Sequence, residues 1–312
     1  MCNFCSNFAC FLAKRMNTIG QNIRFTDFGE SHCTAIGGVI DGFPSRFAID
    51  ETAIRTDLDR RAGRTINNNG CAQTGVSARA QAEKDEIEWL SGVIREEGKL
   101  ITLGSPIAFI IRNTDARPED YETLKDICRD GHADWVYEQK YGIRDYRGGG
   151  RASARETVAR VVAGSLAKQL LAQNNISVNA QLAQVGDETE PSKFYELLQS
   201  VQEAGESIGG VVECRINGLP VGVGEPIFDK LQARLAYAIM SINGCRSFEY
   251  YSGIVGGISD GNEIVFRCRF KPTATKMKDF GGRHDACIAV RATAVVEAMT
   301  AITILDVKLL NC

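Results

Sequence analysis

The chain has 312 residues, of which 44% are hydrophobic, so it can bury a substantial core without a partner. Lysine and arginine total 36 against 39 acidic residues, and the formal net charge of -3 argues against nucleic acid or an anionic membrane as a partner. Because no uninterrupted apolar run approaches the ~20 residues that span a bilayer, we expect a soluble, cytoplasmic protein.

The N-terminal segment is interpreted as separate from the folded domain. Residues 1–15, "MCNFCSNFACFLAKR", have neither the basic start nor the cleavage site of a signal peptide, and we expect a disordered leader. Residues 16–312 are then a single domain. The cysteine count of 11 is odd, which does not fit the framework of a small secreted domain and indicates thiols in a reducing compartment. A metal bound by Cys2, Cys5 and Cys10 is an alternative use of three of them.

The first half of the domain is predicted to contain strands around one helix. The alternation in "NIRFTDF" and the run "AIGGVIDGFP" predict two strands that end at the turn residues Gly42 and Pro44. A helix is predicted from Asp50, its N-cap, to Arg60. The polar, glycine-bearing residues 62–82 predict a long surface loop. The segments "EIEWLSGVI" and "GSPIAFIIRNT" predict further strands of the same layer.

The second half is predicted to combine helices with a second set of strands. From Ser153 onward apolar residues recur at three- and four-residue steps, and Ser153 followed by Glu156 has capping-box spacing. The stretch "SIGGVVECRINGLPVGVGEP" echoes the first strands, with Gly-Glu-Ser at 29 and 205 and Gly-Gly-Val at 37 and 209. This weak repeat suggests a duplicated sheet. The segments "KLQARLAYAIMSI" and "AVRATAVVEAMTAITILDVKLL" predict helices, and "NEIVFRCRFKPT" predicts a strand between them.

Arginines surround three consecutive glycines in "YGIRDYRGGGRASARET", residues 141–157. Glycines let the backbone approach a ligand closely, and the helix that follows adds a positive dipole. The guanidinium fork matches carboxylate and phosphate, so a small anion is a better interpretation than a solvated surface. No Gly-Lys-Ser/Thr follows the glycines, and no strand runs into them, so ATP and NAD are poorly supported. The arginines are Arg144, Arg147, Arg151 and Arg155.

Further basic residues suggest a ligand with more than one negative group. Arg60, Arg61 and Arg64 follow the predicted helix, and Arg283 precedes His284 and Asp285. The segment "FKPTAT" ends a strand with a lysine and two threonine hydroxyls, which is a plausible contact for a phosphate or a flavin tail. Its residues are Lys271, Thr273 and Thr275.

The chain has three histidines, and each lies in a short segment rich in glycine and charge. An imidazole titrates at about pH 6.5, so we interpret His32, His132 and His284 as groups that move protons or donate to an anion. A zinc site is the rival interpretation. The H-x-x-x-H and H-E-x-x-H spacings of zinc hydrolases are absent, so we expect no metal.

Four segments closely resemble, in order, the signature segments of the chorismate synthase family: "GESHCTAIGGVIDGFP", "GHADWVYEQKYGIRDYRGGGRASARETVARVVAGSLA", "GLPVGVGEPIFDKL" and "GRHDACIAVRATAVVEAM". The resemblance implies a lyase of the shikimate pathway, which eliminates phosphate and the C6 proton of 5-enolpyruvylshikimate 3-phosphate in an anti-1,4 sense to give chorismate. It implies a requirement for reduced FMN without net redox change, an external, NADP-linked reductant and a homotetramer. The implied fold is α+β, with a helical layer sandwiched between two antiparallel four-stranded sheets.

The resemblance also implies roles for individual residues. His132 would donate to the departing phosphate, and His32 would lie near the flavin. Asp285 would work with flavin N5 to remove the C6 proton, with Ser31 and Ser153 orienting it. The substrate's anionic groups would be bound by Arg61, Arg64, Arg155 and Arg283. The flavin contacts would be Ala154, Lys271, Thr273, Thr275, Gly256 and Gly257.

Departures from the family pattern leave an alternative open. Cys33 stands where relatives have glycine, beside His32. Residues 241–261 and 271–283 are shorter than the family norm, and the loop at 62–82 differs from the usual arginine-rich version. Because these segments lie around the active site in relatives, a degenerate homologue that binds flavin or an anion without catalysis is the alternative interpretation.

Overall fold

The computed structural model describes residues 17–64, 76, 82–273 and 285–310. The expected leader at 1–15 lies outside this range, as does most of the predicted loop at 62–82. The strands are β1 Thr18–Ile19, β2 Arg24–Phe28, β3 Ala35–Asp41, β4 Ala48–Ile49, β5 Ile87–Ser91, β6 Val93–Glu96, β7 Lys99–Thr102, β8 Ile107–Arg112, β9 Ser177–Val185, β10 Gly210–Asn217, β11 Cys245–Ser252, β12 Ile254–Val255, β13 Ile258–Ser259 and β14 Ile264–Phe270. The α-helices are α1 Glu51–Ala62, α2 Asp134–Tyr141, α3 Thr157–Ala172, α4 Phe194–Glu203, α5 Leu231–Met240 and α6 Ile288–Leu310.

The larger strands form two antiparallel sheets. The first has the order β1-β2-β3-β8-β5, and the second has the order β11-β14-β10-β9. The echoed glycine-bearing strands are β3 and β10, and each is an inner strand of its sheet. The short strands β4, β7 and β6 form a separate sheet, and β12 pairs with β13. The suggestion of a duplicated sheet therefore agrees with the observed topology.

A layer of helices lies between the two sheets. Helix α3 packs against β2, β3 and β8 of the first sheet, while α6 packs against β9, β10 and β14 of the second. Helices α3 and α6 also pack on each other, and α1 and α5 complete the layer by contacting α6. The predicted sandwich is confirmed. The first sheet has five strands rather than four because the two-residue strand β1 pairs with β2 at its edge.

Helices α3 and α6 approach closely at one glycine. A β-carbon built on Gly164 would lie 2.2 Å from Cβ and 2.3 Å from Cα of Ala298. Helix α6 is long and apolar enough to cross a membrane, contrary to our reading of the sequence, but 94% of its most apolar window is buried inside the protein. Its composition is explained by its place at the centre of the sandwich.

Helix α1 begins as its sequence predicts. The Asp50 side chain accepts hydrogen bonds from the backbone N–H groups of Thr52 and Ala53, which is the usual arrangement of an N-cap. The helix ends at Gly63, whose φ of 70° suits a left-handed C-cap. Ile54 and Leu58 point into the core, as their spacing predicts.

The start of α3 differs from the prediction. Ser153 caps a short 3₁₀ turn at Ala154–Glu156 by accepting from the Arg155 N–H, and α3 itself begins at Thr157. Glu156 does not complete a capping box; its side chain is buried and accepts from Arg160 Nε at 3.2 Å. The capping box does not form because the Glu156 carboxylate pairs with Arg160 inside the protein rather than with a backbone N–H group at the helix start.

Candidate active site

A cavity of about 1340 Å³ lies where the loop between β2 and β3 meets the start of α3 and the start of α6. This volume is above the ~300–1,000 Å³ of most ligand sites. Several candidate residues from distant parts of the sequence line it together. They are His32, His132, Ser153, Ala154, Arg155, Lys271, Thr273 and Asp285.

The cavity is more basic than the chain as a whole. Eight lysine and arginine side chains and six aspartate and glutamate side chains line it among the described residues. The whole chain, in contrast, has a formal net charge of -3. Positive charge is therefore concentrated at this site, which favours an anionic ligand.

The glycine run shapes the wall beside His32. Gly148 has a φ of +65° and Gly150 a φ of +51°, conformations that favour glycine. A β-carbon on Gly148 would lie 2.5 Å from Cε1 and Nδ1 of His32. The Ser31 N–H donates to the Gly150 carbonyl at 3.4 Å. The sequence suggested that these glycines let the backbone approach a ligand. At Gly148 the structure gives another reason for glycine, because a side chain there would collide with the His32 ring.

His32 is held from several sides. Its Nδ1 lies 3.0 Å from Oγ of Ser31, and its ring makes an edge contact with Tyr121, with ring centroids 4.8 Å apart. Ser31 is buried behind His32 and does not line the cavity itself. The Cys33 thiol turns back to donate to the Ala35 carbonyl at 2.8 Å and is also absent from the cavity wall. The side chain that stands here in place of the family's glycine therefore points away from the cavity.

His132 lines the same cavity and contacts an ionised carboxylate. Its Nδ1 lies 2.7 Å from Oδ1 of Asp134 and 3.2 Å from Nη2 of Arg129. Hydrogen bonds from Arg129 overcome the effect of burial and lower the pKa of Asp134 to about 2. Since the carboxylate can only accept, Nδ1 carries a proton and Nε2 is the nitrogen that titrates. Burial and then Arg129 lower the pKa of His132 below its usual value, although Asp134 opposes them.

The arginines near the glycine run already have partners within the chain. Arg144 donates to the carbonyls of Leu124, Lys125 and Ile127 and so ties down the preceding loop. The other two flanking guanidiniums each pair with a carboxylate. Arg147 pairs with Asp145, and Arg151 pairs with Asp27. The motif therefore serves the architecture of the loop as much as a ligand.

Arg155 and Arg61 take different positions around a buried carboxylate. Arg155 lines the cavity while pairing with Asp85 and donating to Asn113 Oδ1 at 2.9 Å. Arg61 is fully buried behind it, with Nε donating to Thr157 Oγ1 at 3.1 Å and Nη2 to the Ala154 carbonyl at 3.1 Å. Burial and the nearby Arg291 lower the pKa of Arg61 well below its usual value.

Two of the predicted substrate contacts lie away from the cavity wall formed by the described residues. Neither Arg61 nor Arg64 is among the residues that line the cavity. Arg64 donates to Asp59 Oδ1 at 2.8 Å and to the Glu83 carbonyl. Both guanidiniums are engaged with groups from other segments, which a linear sequence does not show.

Asp285 reaches the cavity from the start of α6. Its Oδ2 accepts from Arg291 Nη1 at 3.0 Å, and its backbone carbonyl accepts from Thr273 Oγ1 at 3.0 Å. Thr273 Oγ1 also lies 2.6 Å from Ser207 Oγ. Lys271 lies nearby and donates to the Gly131 carbonyl at 3.4 Å. Of the residues predicted to bind a phosphate or a flavin tail, Thr273 thus contacts the Asp285 backbone, and Lys271 lines the same cavity.

Some predicted contacts are not brought to this cavity. Gly256 and Gly257 form the turn between β12 and β13 and do not line it within one chain. A β-carbon on Gly257 would collide with the Glu225 carbonyl at 2.4 Å, so this glycine has a packing role. Arg283, Thr275 and His284 lie outside the described residues.

Several site residues were missed in the sequence. They are Arg129, Asp134, Arg291, Tyr121 and Asp85. Arg129 and Asp134 lie within three residues of His132 in "CRDGHADW", so the charge pattern around that histidine was the available signal. Asp85 and Tyr121 lie in polar segments with no distinguishing pattern. Only their folded positions connect them with the cavity.

Comparisons with known proteins find relatives of a single family. The sequence model of a family described as Chorismate synthase matches residues 23–254 and 250–309. A chorismate synthase of Cytophaga hutchinsonii is 40% identical over 365 aligned positions, covering 95% of this chain and 98% of that protein. One from Phocaeicola vulgatus is 39% identical with the same coverage. A solved structure titled "Crystal Structure of Chorismate Synthase" superposes with a TM-score of 0.71 at 27% identity, covering 94% of this chain and 93% of that chain.

The alignments also show where this chain is shorter. The 365 aligned positions exceed the 312 residues present, so these relatives carry internal segments that have no counterpart here. The family match is split at residues 250–254, inside the segment 241–261 that was expected to be shortened. At this point β11 passes through Gly253 directly into β12.

Proposed function

The chain belongs to the chorismate synthase family, and we propose that it removes phosphate and the C6 proton from 5-enolpyruvylshikimate 3-phosphate to give chorismate. The observation that carries the proposal is one cavity that joins two histidines, a carboxylate and an excess of basic side chains. The substrate has a phosphate and two carboxylates, so its charge is opposite to that of the wall around it.

We assign His132 to the departing phosphate. The leaving oxygen gains negative charge as the C3–O bond breaks, and a proton or a donor at Nε2 stabilises that charge. Asp134 holds the ring from the other nitrogen, so Nε2 can face the ligand. Because the pKa of His132 is lowered in the free protein, a bound phosphate dianion has to raise it again. Binding of the substrate phosphate therefore favours the protonated form of His132, which is the acid that the reaction needs.

We assign the C6 proton to Asp285. The Arg291 guanidinium fixes one oxygen of this carboxylate, and Thr273 fixes its backbone. The electron pair of the broken C6–H bond forms a new double bond as phosphate leaves from C3, so the step needs one proton acceptor and no net oxidant. Ser31 acts behind His32 by contacting Nδ1, and Ser153 fixes the turn that presents Arg155.

We propose that Arg155, Arg147 and Lys271 are the described cations that contact the anionic groups. All three line the cavity, and the Arg147 side chain is 38% exposed. Arg61 acts indirectly, because its donors hold the carbonyls of Ala154 and Arg155 in place. Arg283 remains a proposed substrate contact and Thr275 a proposed flavin contact on the basis of the family pattern.

We propose that reduced FMN binds in this cavity beside the substrate. Its volume of about 1340 Å³ exceeds the need of one small ligand, and Ala154, Lys271 and Thr273 line the wall where the family pattern places the flavin. When bound, the flavin would supply an electron that weakens the C3–O bond and recover it afterwards, which no side chain can do. A role for Gly256 and Gly257 in flavin binding finds no support within a single chain. An external, NADP-linked reductant is proposed for keeping the flavin reduced.

The test is an anaerobic assay of chorismate formation with photoreduced FMN. We expect turnover by the wild-type protein and a loss of ~10²-fold or more in His132→Gln, the usual scale for lost acid-base assistance. Arg95→Gln is the matched control, because it breaks an exposed ion pair with Glu51, and neither residue lines the cavity. Tight FMN binding without any chorismate from the wild-type protein would instead support the degenerate homologue, which the shortened segments motivate.

We propose a cytoplasmic homotetramer. The side chains of Val221, Ile227, Phe228 and Val255 are between 69% and 86% exposed on and beside the β12–β13 turn. Apolar side chains so exposed are typical of a surface covered by another copy. Light scattering with Phe228→Glu checks this: the wild-type mass should be close to four chains and fall in the variant, whereas an unchanged mass would remove this surface from the interface.

A further inference from the structure

Arg129 grips Asp134 with a bidentate fork. Its Nε donates to Oδ2 at 2.7 Å and its Nη2 donates to Oδ1 at 2.9 Å, while its backbone N–H donates to Oδ2 at 3.1 Å. The two side chains are only 5% and 3% exposed. A planar guanidinium in this arrangement fixes both the position and the orientation of the carboxylate. The orientation of Asp134 in turn fixes the His132 ring through the 2.7 Å contact with Nδ1.

The same guanidinium reaches the support of the other histidine. Arg129 Nη2 donates to the Gly148 carbonyl at 2.7 Å. The α-carbon of Gly148 lies so close to the His32 ring that a β-carbon there would be 2.5 Å from it. The position of Gly148 therefore limits the position of His32. Among the described residues that contact His132, Arg129 is the one that also holds the glycine run.

We propose that Arg129 is a positioning residue that couples the two imidazoles, holding His132 through Asp134 and His32 through the Gly148 carbonyl, so that both rings keep one fixed separation across the cavity. The coupling is carried by contacts within the protein, so it rests on the proposed function only for its catalytic consequence. The charge of Arg129 has a second effect, because it disfavours a charged imidazole at His132.

The charged groups that act on His132 can be named. Arg129 and Lys271 disfavour its protonation, and Asp134 favours it. Arg144 Nη1 also lies 3.7 Å from Asp134 Oδ1, so it partly neutralises the carboxylate that favours protonation of His132. Removing the Arg129 cation alone therefore moves the balance toward the charged imidazole, although burial continues to oppose it.

The experiment is a pH titration of the histidine ring signals by NMR in the wild-type protein, Arg129→Gln and Arg129→Lys. The chain has three histidines, so His32→Gln and His132→Gln variants assign the signals. In Arg129→Gln we expect the His132 midpoint to move to higher pH and the His32 signals to change as well. In Arg129→Lys, which keeps the charge but not the fork, we expect the His32 change to persist with a smaller shift in the His132 midpoint.

Two readouts separate this inference from the proposed function. Arg95→Gln, which removes an exposed guanidinium pair, should leave all ring signals unchanged. If either Arg129 variant alters His132 while His32 keeps its wild-type signals, the coupling is refuted. If Arg129→Gln does not fold, the His32 and His132 signals of Arg129→Lys provide the same test. Chorismate formation is measured in parallel, and we expect kcat to fall ~10²-fold in Arg129→Lys, the scale expected when a catalytic group is displaced slightly. If the wild-type protein forms no chorismate, the proposed function is refuted, but the ring titrations still test the coupling.

Discussion

Substitution of Gly148 by alanine tests whether the glycine run seats an imidazole. The backbone at this position has a φ of +65°, where an L-residue costs roughly 1–2 kcal/mol. The new β-carbon would also lie 2.5 Å from two atoms of the His32 ring and 3.0 Å from Ser31 Oγ. Neither neighbour can yield easily, because both are buried. Overpacking of this kind adds about 1–3 kcal/mol.

Gly142→Ala is the matched control for the backbone. Gly142 ends α2 with a φ of +73°, and a β-carbon there would meet nothing within 4 Å. Both variants therefore bear the same conformational strain, but only Gly148→Ala pushes on His32. We expect urea unfolding to show a loss of roughly 1–2 kcal/mol in the control and about 2–5 kcal/mol in Gly148→Ala.

The kinetic consequence is measured in the same anaerobic assay. A displacement of about 1 Å at a catalytic group costs on the order of 10²-fold in turnover, so Gly148→Ala should lose that much while Gly142→Ala stays close to wild type. The His32 ring signals should shift in Gly148→Ala alone. If both variants lost equal stability and Gly148→Ala kept wild-type turnover, the contact between this loop and His32 would have no functional meaning.

Two further predictions concern the core. Gly164→Ala should destabilise the protein by roughly 1–3 kcal/mol in urea unfolding, because its β-carbon would lie 2.3 Å from the Cα of Ala298. This loss is expected even though alanine usually stabilises a helix relative to glycine. A gain in stability would show that helices α3 and α6 can move apart. Burial, with the Asp27 carboxylate adding to it, raises the pKa of Glu156 from 4.5 to about 7 against the effect of Arg160. The folded state therefore binds the extra proton in this interval, and its stability falls as the pH rises from 4.5 to 7. Glu156→Gln should flatten that part of the stability curve, and an unchanged slope in unfolding experiments at pH 5 and pH 8 would refute the assignment.

Local sequence patterns determined the elements whose signals are contained in a few residues. Asp50 caps α1 and Gly63 ends it, because the cap acts through groups within three residues. The apolar period of α3 and the length of α6 were equally visible, since a helix buried between two sheets must be apolar on most of its surface. In contrast, β9 and α4 were not predicted, and the burial of β9 alternates irregularly.

The candidate site was only partly determined by the sequence. The histidine contexts and the motif order pointed to His32, His132 and Asp285, which do line one cavity. The sequence could not separate the arginines by role, because a guanidinium that contacts a ligand and one that braces the fold have the same chemistry. Arg155 lines the cavity while Arg61 is buried beneath it, and the difference arises from Asp85 and Thr157, which come from remote segments. The fold decides which charges are neutralised within the chain, and so which ones are left to face a ligand.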